Sequence, residues 1–113
     1  MTTGLKTIIF PVQDLARAKA VYGTLLGQEP IMDEAYYVQF NAAGQEIGLD
    51  PNGHGKGMTG PVAYWHVPDI KATVEELVQA GASERQAVTD VGGGRLIATL
   101  TDADGNPIGL IQA

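Results

Sequence analysis

Two segments of the chain repeat apolar residues every three or four positions, the spacing typical of an amphipathic helix. The first carries Leu15, Ala18, Tyr22 and Leu25, and the second carries Ile70, Val74, Leu77 and Val78. An aspartate, Asp14 or Asp69, precedes each segment at the position where a side chain caps the first N–H groups of a helix. A glycine, Gly27 or Gly81, follows each segment, as is common after the last helical turn. The pattern predicts two helices.

Around these helices, short apolar or alternating segments predict strands. In the first half they cover residues 6–12, 29–32, 35–41 and 45–50, and in the second half residues 62–67, 84–90, 94–101 and 106–112. The order is strand, helix, three strands, and it occurs twice, with residues 12–15 matching residues 67–70. We therefore expect one domain, with module one at 1–52, a glycine-rich linker at 53–60 and module two at 61–113.

Both modules end in the same tripeptide, Ile47-Gly48-Leu49 in the first and Ile108-Gly109-Leu110 in the second. A glycine inside a strand weakens it and often marks a place where another group approaches the backbone closely. The isoleucines and leucines are expected to face the helices, so the glycines face the opposite side of the sheet. There we expect the two glycines to leave an open floor for a flat ligand.

The bulk composition narrows the range of partners. The chain has 113 residues, of which 44% are hydrophobic and 18% charged, as is typical of a globular domain. Its net charge is -6 and its pI about 4.6, so nucleic acid and anionic membranes are not expected partners. It has no cysteine, which excludes disulfides and thiolate metal sites. Because no signal peptide or membrane-length apolar run is recognisable, the expected location is the cytoplasm.

Candidate binding residues follow from the alternation along the strands. Val62, Tyr64 and His66 share one face of their strand, and Tyr37 and Gln39 share one face of theirs. The tyrosines could stack on a planar ligand, and His66 could donate a hydrogen bond or act as a general base. Packing between two copies of the chain would explain the aromatic residues equally well, and a half-exposed strand end would explain the histidine.

Two carboxylates, Glu46 and Asp50, share the face of Gly48. Either could orient a ligand hydroxyl or pair with a cation. Asp50 also precedes Pro51, where the ordinary role of an aspartate is to begin a turn, and we favour that role slightly. On the neighbouring strand, the residues of opposite parity are expected to pack against the helix; these are Tyr36, Val38 and Phe40.

Three segments carry a resemblance to a known family: FPVQDLARAKAVYGTLLG at 10–27, WHVPDIKATVEELVQAGA at 65–82 and TDADGNPIGLIQ at 101–112. Their order and duplication resemble the vicinal oxygen chelate superfamily, which includes glyoxalase I, extradiol dioxygenases, and fosfomycin and bleomycin resistance proteins. The resemblance implies an α+β fold in which two βαβββ modules form a curved mixed sheet, with the helices on the convex face. It also implies a homodimer with cavities on the concave face.

The resemblance also implies four positions at which metal-dependent members place their ligands. Carried onto this chain they are Thr7 and Val62 on the first strand of each module, and Gly48 and Gly109 on the last. None of these side chains is an ordinary metal ligand. We therefore expect neither a metal at this site nor another cofactor.

The branch of the superfamily that this pattern resembles is that of the bleomycin resistance proteins. It implies a metal-independent, non-catalytic protein that sequesters an aromatic natural product or antibiotic in a dimer-interface cavity. The expected ligand-binding residues are Tyr37, Gln39, Gly48, Asp50, Val62, Tyr64, His66 and Gly109. The alternative is a metal-independent isomerase, cyclase or lyase that uses His66 with Asp50 or Glu46 as acid and base.

Overall fold

The computed structural model describes residues 2–113 and contains eight strands and two α-helices in this part of the chain. In chain order they are β1 (Gly4–Pro11), α1 (Leu15–Leu26), β2 (Met32–Glu34), β3 (Tyr37–Ala42), β4 (Gln45–Asp50), β5 (Val62–His66), α2 (Ile70–Gln79), β6 (Ser83–Asp90), β7 (Leu96–Thr101) and β8 (Pro107–Gln112). The twofold βαβββ order and the α+β class are thus confirmed. Neither helix has the length and apolar character needed to cross a membrane.

The chain forms two compact units, the first made of residues 6–62 and the second of residues 63–113 together with the N-terminal residues up to Leu5. The strand order in the first unit is β2-β3-β4-β1, with β1 parallel to β4 and the other neighbours antiparallel. The strand order in the second is β5-β8-β7-β6, with β5 parallel to β8 and the other neighbours antiparallel. Each unit is therefore a four-stranded mixed sheet with one helix.

The core of the first unit lies between α1 and one face of its sheet. Val38, Phe40 and Leu49 are fully buried there, and the helix residues that pack on them are Leu15, Ala18, Tyr22 and Leu26. Leu25, which the apolar spacing assigned to this face, is 72% exposed. The last turn of α1 contacts the sheet through Leu26, the residue before the left-handed cap Gly27, so Leu25 points away.

Tyr36 was also expected in this core, and that prediction is wrong. The residue lies in the turn between β2 and β3, outside the strand, and is 60% exposed. Strand alternation applies only within β3, which begins at Tyr37, so Val38 and Phe40 alone follow the predicted pattern.

The core of the second unit repeats this arrangement with α2. Ile70 and Val74 of the helix are buried against the sheet residues Ala98, Leu100 and Leu110, and Leu77 packs on them. Val78, predicted on the same helix face, is 47% exposed. A four-residue step from Val74 reaches Val78, but the three-residue step to Leu77 is the one that faces this sheet.

Both aspartate caps are present. The Asp14 carboxylate accepts a hydrogen bond from the Arg17 N–H at 3.0 Å, and the Asp69 carboxylate accepts one from the Ala72 N–H at 3.1 Å. The first N–H group of α2, that of Ile70, is bound by the side-chain oxygen of Gln112 at 2.8 Å. The end of β8 therefore helps to anchor the start of α2.

Replacing the cap of α2 tests this arrangement. We expect Asp69→Ala to lower the free energy of unfolding by about 1 kcal/mol, because a donor at the helix start loses its acceptor. Asp69→Asn keeps a side-chain oxygen at the same position and should cost clearly less. Urea unfolding of the two variants gives both values, and equal losses would show that capping is not the cause.

The turn before β8 is organised by Asp102. Its carboxylate accepts hydrogen bonds from the backbone N–H groups of Asp104 and Asn106 and from the side-chain amide of Asn106, each at 2.9 Å. These donors favour the charged form, with the side-chain bond from Asn106 contributing most, and hold the pKa of Asp102 below its ordinary value of 3.8.

A lowered folded-state pKa makes a contribution to stability that is present above the ordinary value and is lost as the pH falls through the folded value. Stability should therefore decline as the pH falls below about 4, and the decline should be shallower in Asp102→Asn, which has no carboxylate to protonate. Thermal unfolding across this pH range measures both slopes. An equal decline of stability with pH in the wild type and in Asp102→Asn would show that Asp102 is not the group responsible.

Candidate functional site

The face of the first unit's sheet that lies opposite α1 carries most of its candidate residues. Because Val38, Phe40 and Leu49 pack towards α1, their neighbours of opposite parity project to the other face. The strand register arranges that face in rows. One row holds Thr7, Glu46 and Asn41, and the next holds Ile9, Gly48 and Gln39. A third row begins with Pro11 and Asp50, which are register partners. Tyr37, the first residue of β3, lies at the same end of the sheet.

Thr7 and Glu46 are joined across the parallel pair β1 and β4. The Thr7 hydroxyl, in a residue that is 2% exposed, donates a hydrogen bond to the Glu46 carboxylate at 2.8 Å. This contact was not predicted from the sequence, because a βαβββ order implies that the first and last strands pair but does not give their register. The Glu46 carboxylate is therefore oriented by a buried donor.

Gln39 lies on the same face and is 7% exposed. Its side-chain amide donates to the Asn41 side-chain oxygen at 3.0 Å, two residues along β3. The prediction that Gln39 projects away from the helix agrees with this geometry, since both its strand neighbours, Val38 and Phe40, belong to the α1 core.

Asp50 organises the start of the linker. One carboxylate oxygen accepts a hydrogen bond from the Asn52 N–H at 2.8 Å, and the other pairs with the Lys56 ammonium at 3.0 Å. The side chain is only 10% exposed, whereas that of Lys56 is 63% exposed. Asp50 thus has the turn-forming role that its position before Pro51 indicated, and Lys56 is a partner that the sequence did not reveal.

The space directly over Gly48 is filled by Tyr37. A Cβ atom added at Gly48 would lie 2.6 Å from Cζ and 3.0 Å from Cε1 of the tyrosine ring, and would overlap its hydroxyl oxygen. The ring reaches Gly48 from β3, the antiparallel neighbour of β4. A side chain at residue 48 would overlap the ring in this position, so the ring would have to rotate away to make room for it.

The space over Gly109 is filled in the same way by Tyr64. A Cβ atom there would lie 2.6 Å from Cδ2 and 2.7 Å from Cγ of the ring, and 2.7 Å from the carbonyl oxygen of Ala63. Tyr64 is directly opposite Gly109 in the parallel register of β5 and β8, and it is 4% exposed.

The open floor expected over the two glycines is therefore absent. An aromatic side chain from a neighbouring strand covers a glycine well, because the missing Cβ lets the ring approach the backbone. Strand parity correctly placed Tyr37 on the face of Gly48 and Tyr64 on that of Gly109, but it does not show that each ring reaches across to the glycine.

The remaining candidates of β5 are Val62 and His66. Val62 is 7% exposed and His66 is partly buried, opposite Ile111 in the register. The backbone carbonyl of His66 accepts hydrogen bonds from the Thr3 N–H and the Thr2 hydroxyl, both at 2.8 Å. The N-terminal residues thus fix the end of the strand that carries His66.

The residues at the four implied metal positions do not fit a metal ion. The Thr7 hydroxyl donates to Glu46, Val62 has no donor atom, and both glycines are covered by tyrosine rings. Across residues 2–113, no three His, Asp or Glu side chains lie close enough together to hold one. The chemistry of the donor set thus argues against the superfamily's metal site.

A depression of about 420 Å³ lies on the other side of the first unit, beside α1. Gly23 and Phe40 line it, and the ion pair between Lys19 and Asp33, at 3.0 Å, lies at its edge. None of the eight expected binding residues contributes to it. The candidate face and this depression are therefore separate features.

Comparison with known proteins agrees with the observed fold. The family model of the Glyoxalase/Bleomycin resistance protein/Dioxygenase superfamily matches residues 4–110. The chain belongs to this superfamily. No curated protein matched the chain significantly.

Several solved structures share the fold of this superfamily member. A Legionella pneumophila protein described as an NAD-dependent benzaldehyde dehydrogenase is 17% identical, with a TM-score of 0.77 over 94% of this chain and 96% of that one. A Streptomyces coelicolor methylmalonyl-CoA epimerase variant in complex with 2-nitronate-propionyl-CoA is 16% identical, with a TM-score of 0.74 over 100% and 99%. The Mycobacterium tuberculosis methylmalonyl-CoA epimerase is 18% identical, with a TM-score of 0.69 over 98% and 88%. At these identities the likeness concerns the fold.

The two glycines provide a matched test of this site. A Cβ at Gly109 meets the root of a buried ring and a backbone carbonyl, neither of which can move alone, so Gly109→Ala should lower the free energy of unfolding by about 2–3 kcal/mol. A Cβ at Gly48 meets the far end of the Tyr37 side chain, which can rotate, so Gly48→Ala should cost about 1 kcal/mol or less. Urea unfolding measures both, and equal losses would contradict the difference between the two contacts.

Proposed function

We propose that this superfamily member is a metal-independent small-molecule binding protein, and that its first unit binds an aromatic natural product or antibiotic on the sheet face opposite α1. The observation that carries the proposal is that tyrosine rings cover both glycines at the positions where metal-dependent relatives place ligands. A site without Lewis-acid donors recognises its ligand by shape, apolar contact and a few fixed polar groups.

The polar groups on this face favour a neutral or cationic ligand. Glu46 is oriented by Thr7 at 2.8 Å, and Asp50 is held by the linker. The cation that pairs with Asp50 is Lys56, which reaches it from the linker and has a mostly exposed side chain. A cationic group on an aromatic ligand would gain a charge-assisted hydrogen bond at Glu46.

The binding experiment uses protein purified without an affinity metal. Calorimetric titration against aromatic antibiotics, including cationic glycopeptides, and against flavin-like ring systems should yield a ligand with a micromolar dissociation constant that is unchanged by a chelator. The absence of any binder at micromolar concentration, or affinity that disappears with the chelator, would contradict the proposal. Chemical conversion of the bound ligand, followed by mass spectrometry, would favour the enzymatic alternative with His66, Glu46 or Asp50 as acid and base.

A pair of isosteric variants locates the site. Glu46→Gln should weaken binding of a cationic ligand about tenfold, because the charged acceptor becomes neutral. Glu75→Gln, an equal change of charge at an exposed residue of α2, is the control and should leave the affinity within about twofold. Equal effects would indicate that only net charge matters.

Sedimentation of the free protein tests the predicted homodimer separately.

A further inference from the structure

The two glycine–tyrosine contacts differ in which part of the ring covers the glycine. At Gly109 the nearest atoms are Cγ and Cδ2, at the root of the Tyr64 ring, together with the carbonyl oxygen of Ala63. At Gly48 the nearest atoms are the hydroxyl oxygen and Cζ, at the tip of the Tyr37 ring. Rotation about the side-chain bonds displaces the tip of a ring further than its root, and a backbone carbonyl such as that of Ala63 moves only with its strand. The cover of Gly48 alone can therefore be withdrawn while the strands stay in place.

The two rings also differ in how much solvent surrounds them. Tyr64 lies in the middle of β5, is 4% exposed, and has the 7% exposed Val62 on the same face. Tyr37 is the first residue of β3, follows the turn residue Tyr36, which is 60% exposed, and is itself partly exposed. Tyr37 therefore lies beside solvent, whereas Tyr64 is enclosed.

The Tyr37 ring occupies a volume of phenol size, and the far end of this volume lies over Gly48. Ile9 and Gln39, the register partners of Gly48, lie on either side of this volume. A glycine inside a strand is a position where a ligand can approach the backbone closely. A planar six-membered ring from elsewhere would meet the same backbone surface that the tyrosine ring meets.

We propose that Gly48 and Tyr37 form an exchangeable aryl subsite, in which a phenol-sized ring of the ligand takes the place against Gly48 that the Tyr37 ring holds in this structure. The ligand's aryl group is thereby defined as a single six-membered ring. The Gly109–Tyr64 contact is a permanent part of the fold. This inference rests on the proposed function, because it names the chemical group that the binding face takes.

The subsite can be tested with phenol, the fragment that Tyr37→Ala removes. Phenol should bind Tyr37→Ala saturably, with a dissociation constant on the order of 1–10 mM, and should shift the Gly48 amide resonance in NMR titrations. The wild-type protein should bind phenol at least tenfold more weakly, because its own ring holds the subsite. The double variant Tyr37→Ala with Gly48→Leu should lose binding, because the leucine side chain fills the same volume.

Tyr37→Val is prepared alongside in case Tyr37→Ala does not fold, since valine suits a strand. A folded variant whose Gly48 resonance does not respond to phenol overturns the proposal. Binding that persists in the double variant also overturns it, because the phenol then lies elsewhere.

A ligand found by titration of the wild-type protein gives a second readout. It should bind Tyr37→Ala at least as tightly as the wild type, because no ring has to be displaced, whereas a tenfold loss would show that Tyr37 is a stacking partner and would overturn the exchange. The phenol experiment needs no natural ligand, so the two proposals fail separately. If phenol fails while an antibiotic binds the wild type, only the subsite is wrong; if phenol binds and no antibiotic does, only the proposed function is wrong.

Discussion

In each unit a tyrosine ring lies against the backbone of a glycine in the closing strand, and the rest of the candidate face depends on this contact. A glycine inside a strand contributes no side-chain packing of its own, so the strand is weak unless a neighbour covers it. The covering ring also restricts the register, because a slip by one residue would move the glycine to the other face and drive a leucine or isoleucine into the ring. The positions of Thr7, Gln39, Glu46 and Asp50 follow from that register.

The two modules cover their glycines from different strands, which indicates divergence after duplication. Gly109 is covered by Tyr64, its direct partner on the parallel strand β5. The corresponding partner of Gly48 on β1 is Ile9, which leaves the glycine open, and the ring comes instead from Tyr37 at the start of β3. At Gly48 the tip of a ring lies over the glycine beside solvent, whereas at Gly109 the buried root of a ring does. The same tripeptide therefore has a structural role in one module and a proposed binding role in the other.

Most of the fold could be predicted from the sequence, because helical spacing, aspartate caps and strand alternation are local properties. Leu25 and Tyr36 were misplaced where an element ends, since periodicity does not show which residue the last turn presents or where a strand begins. The site was predicted less completely. Parity placed Tyr37 and Gln39 on the correct face, but the reach of a ring across to the next strand, the Thr7–Glu46 bond and the Lys56–Asp50 pair depend on register and loop conformation, which one sequence does not encode locally.

The covered glycines favour recognition by shape and fixed polar groups over metal coordination at these two positions. The central claim is that both glycines are covered by tyrosine rings. Nuclear Overhauser contacts in the wild-type protein test it most directly. The account predicts strong contacts from the Gly48 Hα protons to the Tyr37 ring and from the Gly109 Hα protons to the Tyr64 ring. The absence of either contact in the folded protein would contradict it.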